Sequence, residues 1–516
     1  MVLGNWVQYT RFVTVHCRTH PEHRCRVMHY SIEYDAVVEK QSIDACPTDQ
    51  RDQFSGEFGM EPVPVTRSSG WEALVLFLDT PEGKPTLEET FIWVVTKTDM
   101  RWVRSELGSA ALAREVRALR CGLDGSAWRD GLCTELASKG YTEADYGAGK
   151  PLPFDHSCAY NLYQTLFGQV ADLIRGKHLL IVPAGPLTQL PFQVLVTAPP
   201  PANGDHKSAT WLIRDHPLTV LPAVSSLKAL RSVAHPSAAT KPLIGFGNPL
   251  LIGNPKVAGD AARARLAREK RSCSGIAAQQ PNPFSRTYRG VTSLVMRGGR
   301  ADVKHILRQE PLPETADELC AVARDLGADP DEIRLGTRAT EAEVKKLSAS
   351  GELAQYRIAH FATHGALAGE INDTSEPGLL FTPPVRANAE DDGYLSASDI
   401  AGLKLDADWV ILSACNTAAG NAKGAEALSG LARAFIYAHA RALLVSHWAV
   451  DSNAAVKIIT GTMRRFAAGG SRAEAIRQSM LALIDEGESF EAHPSHWAPF
   501  IVAGERARVS ATRKSP

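Results

Sequence analysis

The chain reads as an α/β protein: a mostly parallel sheet flanked by helices, with a small β-rich region before it. Three observations predict this. Short, continuous apolar runs such as Leu179-Leu180-Ile181-Val182 and Val410-Ile411-Leu412 have the length and uniformity of strands buried on both faces. Segments with apolar residues at helical spacing, such as Leu319, Val322 and Leu326, lie between those runs. The two kinds of segment alternate across residues 156–504, the pattern of strands joined by crossover helices.

Residues 1–70 are rich in His, Cys and Arg, lack clear apolar periodicity and read as a poorly packed segment. His16, Cys17, His20, His23 and Cys25 are metal-ligand types, but their spacing fits no common zinc finger and no second half follows, so no metal site is assigned. Residues 71–155 form the small region before the main domain, with strands at 73–77 and 90–96 around a turn-rich stretch and a short helix at 112–119. A helix through Leu162, Leu166, Val170 and Ile174 stops at Gly176, and a strand follows at 179–183. A helix is expected at 225–233 and a strand at 243–247. Residues 253–300 show no sustained period and read as a long, partly disordered loop. Helices at 315–326 and 340–347 come next, the second with a Thr cap and an acidic first turn. Strands at 357–361, 409–412 and 442–446, helices at 425–438, 452–467 and 472–484, and a strand at 499–503 complete the pattern. Residues 505–516 read as a disordered tail, and no internal repeat is evident.

With 516 residues the chain is long enough for several domain-sized units and a large core. A formal net charge of −1 provides no global field for nucleic acid or an anionic membrane, so neither is expected as a direct partner. The nine cysteines are scattered and odd in number, which favours a reducing compartment with mostly inert thiols and one reactive one. Residues 1–8 do not begin a signal peptide, and no apolar run reaches the ~18 residues that span a bilayer, so a cytoplasmic location is expected. No cofactor is expected. Gly147-Ala148-Gly149-Lys150-Pro151 has Pro where a phosphate loop needs Ser or Thr, and Leu250 replaces the third glycine of a dinucleotide motif after Gly245 and Gly247.

Two strand ends carry the chemistry. His364 follows the apolar run through Ile358 and Phe361, and Cys415 follows Val410-Ile411-Leu412. Reactive groups in open α/β sheets collect beyond the carboxyl ends of strands. If the two strands are neighbours, an imidazole and a thiol face one crevice. The imidazole can activate the thiol for attack on a scissile carbonyl and then protonate the leaving amine. Backbone N–H groups at Gly365 and Cys415 are suited to hold the oxyanion. A lone Cys or His after a strand is more often an ordinary core residue; the pairing of the two gives the argument its force.

Many segments, in order, resemble one family. They include Leu180-Ile181-Val182-Pro183-Ala184-Gly185-Pro186-Leu187, Leu221-Pro222, Gly247-Asn248-Pro249, His360-Phe361-Ala362-Thr363-His364-Gly365, Leu412-Ser413-Ala414-Cys415-Asn416-Thr417, Val445-Ser446-His447-Trp448-Ala449-Val450-Asp451 and His496-Trp497-Ala498-Pro499-Phe500. Residues 156–504 resemble the CHAT peptidases, relatives of caspases and separase. The 51 positions between His364 and Cys415 sit near the roughly 50 of caspases. The resemblance implies a caspase-like sheet, His364 and Cys415 as the catalytic pair, and peptide-bond hydrolysis. Many members carry helical repeats before this domain and none is visible here; residues 71–120 resemble the short β-rich piece that commonly precedes it. Asn416 stands where many relatives have an acidic residue, a change that bears on the pocket rather than the pair.

Trp448, Asp451 and Asp373 are the candidate substrate-binding residues. Each has a plain alternative: core packing for Trp448, a helix cap for Asp451 and a solvated loop position for Asp373. Arg263, Arg265, Arg268, Lys270 and Arg271 read as a solvated helix face or loop, with a nucleic-acid patch the lesser alternative and self-cleavage at an exposed basic loop a sharper one. Two functions remain. One is a cysteine endopeptidase acting on a protein or peptide and switched on by a protein partner or signal. The other is a catalytically silent scaffold of the same fold.

Overall fold

The computed structural model describes residues 14–16, 24–26, 71–80, 88–129, 133, 140–142, 144–145, 150–201, 203–224, 237–274, 294–297, 299–366, 371–372, 376–414, 430–448 and 450–504. The chain divides into a unit of residues 1–65 and a unit of residues 66–516. In the first, Thr14–His16 pairs antiparallel with Arg24–Arg26.

In the second unit the described strands of the main sheet number eleven. In chain order they are β1 (Glu72–Thr80), β2 (Glu89–Val95), β3 (Met100–Ser105), β4 (His178–Val182), β5 (Leu218–Val220), β6 (Lys241–Gly247), β7 (Ile333–Leu335), β8 (Tyr356–Ala362), β9 (Trp409–Leu412), β10 (Ala442–Ser446) and β11 (Phe500–Gly504). Across the sheet they run β7-β6-β8-β9-β10-β11-β5-β4-β1-β2-β3. Seven of the ten neighbouring pairs are parallel; β10–β11, β1–β2 and β2–β3 are antiparallel. Every residue of β4, β9, β10 and β11 is buried, as expected for strands covered on both faces.

The helices α1 (Ser109–Cys121), α2 (His156–Phe167), α3 (Asp260–Glu269), α4 (Glu314–Leu326), α5 (Glu341–Ala349), α6 (Gly430–Tyr437), α7 (Ser452–Ala467) and α8 (Arg472–Asp485) flank the sheet. Strand pleating sorts the core into two faces. Ile358, Ala362, Trp409 and Ile411 join the cluster that contains Leu319 and Val322 of α4, whereas Ala359, Phe361, Val410 and Leu412 join the cluster with Leu431 and Phe435 of α6. The Thr340 hydroxyl caps α5 by accepting from Glu343 N at 3.1 Å.

Several elements differ from the sequence-based expectation. Residues 71–155 do not stand apart from the main sheet: β1 pairs parallel with β4, so β1–β3 extend it. The stretch 253–300 contains α3 as well as strands Leu294–Arg297 and Arg300–Ala301. Of the basic cluster, Arg265 and Arg268 stand exposed on α3, the solvated helix face that is one of its readings, whereas Arg263 pairs with Asp260 at 2.6 Å and Glu310 at 2.5 Å, and Lys270 reaches Asp317 at 2.5 Å. Among the described residues, four cysteines are paired rather than held as thiols: Cys121–Cys133 and Cys273–Cys320. The helix expected at 225–233, the tail at 505–516 and the start of the helix expected at 425–438 lie outside the described residues. Among the described residues no helix is long and apolar enough to cross a membrane.

Candidate active site

Neighbouring parallel strands end at the same side of a sheet. β8 and β9 pair in parallel with Phe361 opposite Leu412. His364 is the third residue after Phe361, and Cys415 is the third after Leu412. The ladder continues one step past β9, where Ser413 N donates to Phe361 O at 2.9 Å. Ser446, the last residue of β10, donates its hydroxyl to Ala414 O at 2.6 Å. The backbone entering Cys415 is therefore tied to both neighbouring strands. Cys415 and Asp373 themselves lie outside the described residues.

His364 is fully buried. Its Nε2 lies 2.7 Å from Glu310 O. A carbonyl only accepts, so Nε2 carries the hydrogen and the lone pair falls on Nδ1. Glu310 is fixed in turn by Arg263 of α3. Thr363 donates its hydroxyl to Leu380 O, and Leu380 N donates to His364 O at 3.0 Å. Gly365 starts a short strand, Gly365–Ala366, antiparallel to Gly378–Leu380, with Gly365 opposite Leu379. Bonded and non-bonded pairs alternate along such a ladder. The bond at His364 puts Gly365 on a non-bonded pair, so its N–H turns away from that strand.

A second histidine, His360 of β8, faces α4. Its Nε2 lies 2.9 Å from Glu318 Oε1 of α4, and both side chains are fully buried. Sequence reasoning does not find this pair, since nothing in the spacing of 318 and 360 marks it.

Trp448 is buried and closes the core; its Nε1 donates to Ser495 O at 3.2 Å. Asp451 caps α7, its Oδ1 accepting from Asn453 N at 3.1 Å and Ala454 N at 3.0 Å. Both plain alternatives are thus realised in the fold. Both residues also line a cavity of 160 Å³, so packing and capping leave room for a second role. Arg120 of α1 reaches into the same region. It donates to His447 O at 3.0 Å, pairs with Asp124 at 2.7 Å, and lies 5.5 Å from the centre of the Trp448 ring. Among the described residues, no group of three or more His, Cys, Asp or Glu is arranged to hold a metal ion.

Three imidazoles of this region, His447, His206 and His493, are held below the usual histidine range. Burial holds His447 down at about 3, with the Arg120 charge adding to the effect. Burial holds His206 at about 4, helped by the adjacent His156 ring. Burial also pushes His493 well below the usual range, with His206 and His496 contributing. An unfolded chain titrates these rings near about 6.5. The folded values lie lower, so between those limits the unfolded chain binds more protons. Stability is therefore fully present above about pH 6.5 and is lost as pH falls towards the folded values. Urea unfolding at pH 5 is expected to show a loss relative to pH 7 on the order of 2 kcal/mol for each fully buried ring. Equal midpoints at the two pH values would contradict it.

Residues 156–505 match the family model described as CHAT domain. Tetratricopeptide repeat protein 28 of Mus musculus is 29% identical over 227 residues, covering 39% of this chain and 9% of the relative. Its counterpart of the same name in Homo sapiens is 28% identical over 228 residues, again 39% and 9%. The chain thus spans about a tenth of the length of these relatives. Among solved structures, the separase–securin complex of Saccharomyces cerevisiae aligns with 84% of this chain and 30% of that chain at 8% identity and a TM-score of 0.44; a second structure of that complex aligns at 11% identity and a TM-score of 0.39.

Proposed function

Because the chain belongs to the CHAT domain family, we propose that it is a cysteine endopeptidase in which His364 and Cys415 form the catalytic pair. One observation supports the reading above others: β8 and β9 are parallel neighbours, and each of the two residues is the third in sequence after the paired Phe361 and Leu412. In the proposed reaction, Nδ1 of His364 takes the thiol proton and the sulfur bonds to the scissile carbonyl carbon. The oxyanion is held by the Gly365 and Cys415 N–H groups. As the C–N bond breaks, the proton passes from Nδ1 to the leaving amine, and water then releases the acyl group from sulfur. The Glu310 carbonyl, 2.7 Å from Nε2, orients the ring and favours the imidazolium that forms between the two transfers. Trp448, Asp451 and Asp373 are proposed to line the substrate cleft, and a protein partner to switch the enzyme on.

A second reading is a silent protein-binding scaffold. The relatives named for tetratricopeptide repeats speak for it, since repeat proteins present extended binding surfaces. Alkylation with an iodoacetamide probe separates the two. The peptidase reading expects Cys415 to react at least ~10-fold faster than Cys158, with the excess lost in His364→Ala. Cys158 is half-buried, its sulfur 3.1 Å from Glu115 Oε2. Labelling that follows solvent exposure alone, unchanged by His364→Ala, would favour the scaffold.

A further inference from the structure

The 160 Å³ cavity beside Trp448 is built from two parts of the chain. Leu123, Gly125 and Leu152 belong to the segment before residue 156, outside the CHAT match; Trp448, Phe490 and His493 belong to the matched domain. We propose that this cavity is a substrate side-chain pocket, that it receives an uncharged planar ring, and that Arg120 is a positioning residue holding its Trp448 wall. Its place in catalysis rests on the peptidase reading; its ligand chemistry does not.

Position comes first. Ser446 is bonded to Ala414 O, one residue before Cys415, and Trp448 follows Ser446 by two. The segment that carries the indole therefore starts in contact with Ala414, the residue that precedes the proposed nucleophile in sequence. Size is the second argument, since a cavity of about 150 Å³ admits a benzene-sized ring. The third is the chemistry of the walls. Rings from Trp448, Phe490, His206, His493 and His496 surround the space. The His206 and His493 rings pack edge to face at 4.7 Å, and Phe490 meets His496 the same way at 5.6 Å. Such walls suit an aromatic guest by offset and edge-to-face contact.

Charge is the fourth. Among the described residues, two charged ones line the space, Lys150 and Asp451. Lys150 is paired with Asp145. Asp451 Oδ1 accepts from the first turn of α7, where the positive end of the helix offsets the carboxylate. A guanidinium or a carboxylate would therefore find its counter-charge already committed.

Arg120 is what makes the earlier segment part of this pocket. One guanidinium nitrogen is bonded to the His447 carbonyl, another to Asp124, and the central carbon lies over the Trp448 ring. Lysine has one donor head and cannot reproduce all three contacts.

Binding is tested in the full chain carrying Cys415→Ala, which removes turnover. The probes are N-acetyltryptophanamide and N-acetylargininamide, followed by saturation-transfer NMR. The tryptophan probe is expected to saturate in the millimolar range. It should weaken about fivefold or more in Phe490→Ala, which removes one ring wall. Phe490 is 46% exposed, so that change leaves the core intact. The arginine probe is expected not to saturate. Equal or tighter binding of the arginine probe, absence of binding by both, or an unchanged affinity in Phe490→Ala would overturn the pocket. In the chain with Cys415 intact, Arg120→Lys is expected to raise KM for a peptide bearing tryptophan about fivefold or more at nearly constant kcat, and to leave a peptide without a ring unaffected. A uniform fall in kcat for both peptides would remove the positioning role. A wild-type chain that binds the tryptophan probe, yet whose Cys415 is alkylated no faster than its exposure explains and no differently in His364→Ala, would end the peptidase reading while leaving the pocket's ligand class standing.

Discussion

Replacing Cys415 by Ala is expected to abolish peptide-bond cleavage, by a thousandfold at the least, and His364→Ala to do the same, each at a magnitude seen when one member of a nucleophile–base pair is removed (roughly 10³ to 10⁶). The double variant should be no worse than either single one, because the proton relay is one device and fails whole. The two variants should part company in stability. His364 is fully buried and bonded to Glu310 O, so its truncation leaves a carbonyl without its donor and costs about 1–3 kcal/mol. Turnover of a peptide library, read beside urea unfolding, checks both expectations. Cleavage retained by either single variant would remove the assignment of the pair.

The largest effect on stability is expected at the pair beneath the site. Glu318→Ala should destabilise the chain by about 3 kcal/mol, the range in which removing one partner of a buried pair falls. Glu318 and His360 are both fully buried, 2.9 Å apart, at the contact between α4 and β8. Truncation strands the imidazole where water cannot reach it. α4 follows Glu310, so a shift of this helix should also disturb the carbonyl that orients His364. The double change Glu318→Leu with His360→Phe removes both polar groups and should recover much of the loss. Denaturation midpoints for the three variants decide the matter; a double variant as weak as Glu318→Ala would argue that the contact is steric.

The parts of the fold that are legible in the residues are those where one local signal settles the outcome. β9 and β10 are short runs dominated by apolar residues, a pattern that fits a strand covered on both faces. The break of two such runs at His364 and Cys415 is equally local. α3 shows the opposite case. Its sequence, Asp260 to Glu269, alternates Ala and Arg and has no apolar stripe, so periodicity is silent. Contacts from elsewhere hold it: Asn248 Nδ2 donates to Ala267 O at 2.8 Å and to Lys270 O at 2.7 Å. β3 escapes sequence reasoning because as an edge strand it keeps Met100 and Trp102 exposed among arginines. β5 and β7 are three residues each, too short to show a period. The partners of Cys121 and Cys273, and the contact of Arg120 with a carbonyl 327 positions away, are properties of the folded chain alone.

The parallel pairing of β1 with β4 reaches beyond architecture. Cutting the chain where the family match starts, at residue 156, would strip β4 of its neighbour along five register positions. The bared N–H and C=O groups would form an adhesive ribbon that recruits a strand from another copy. An excised domain should accordingly precipitate or form intertwined oligomers, and the shortest fragment that stays dispersed should begin at or before Trp71.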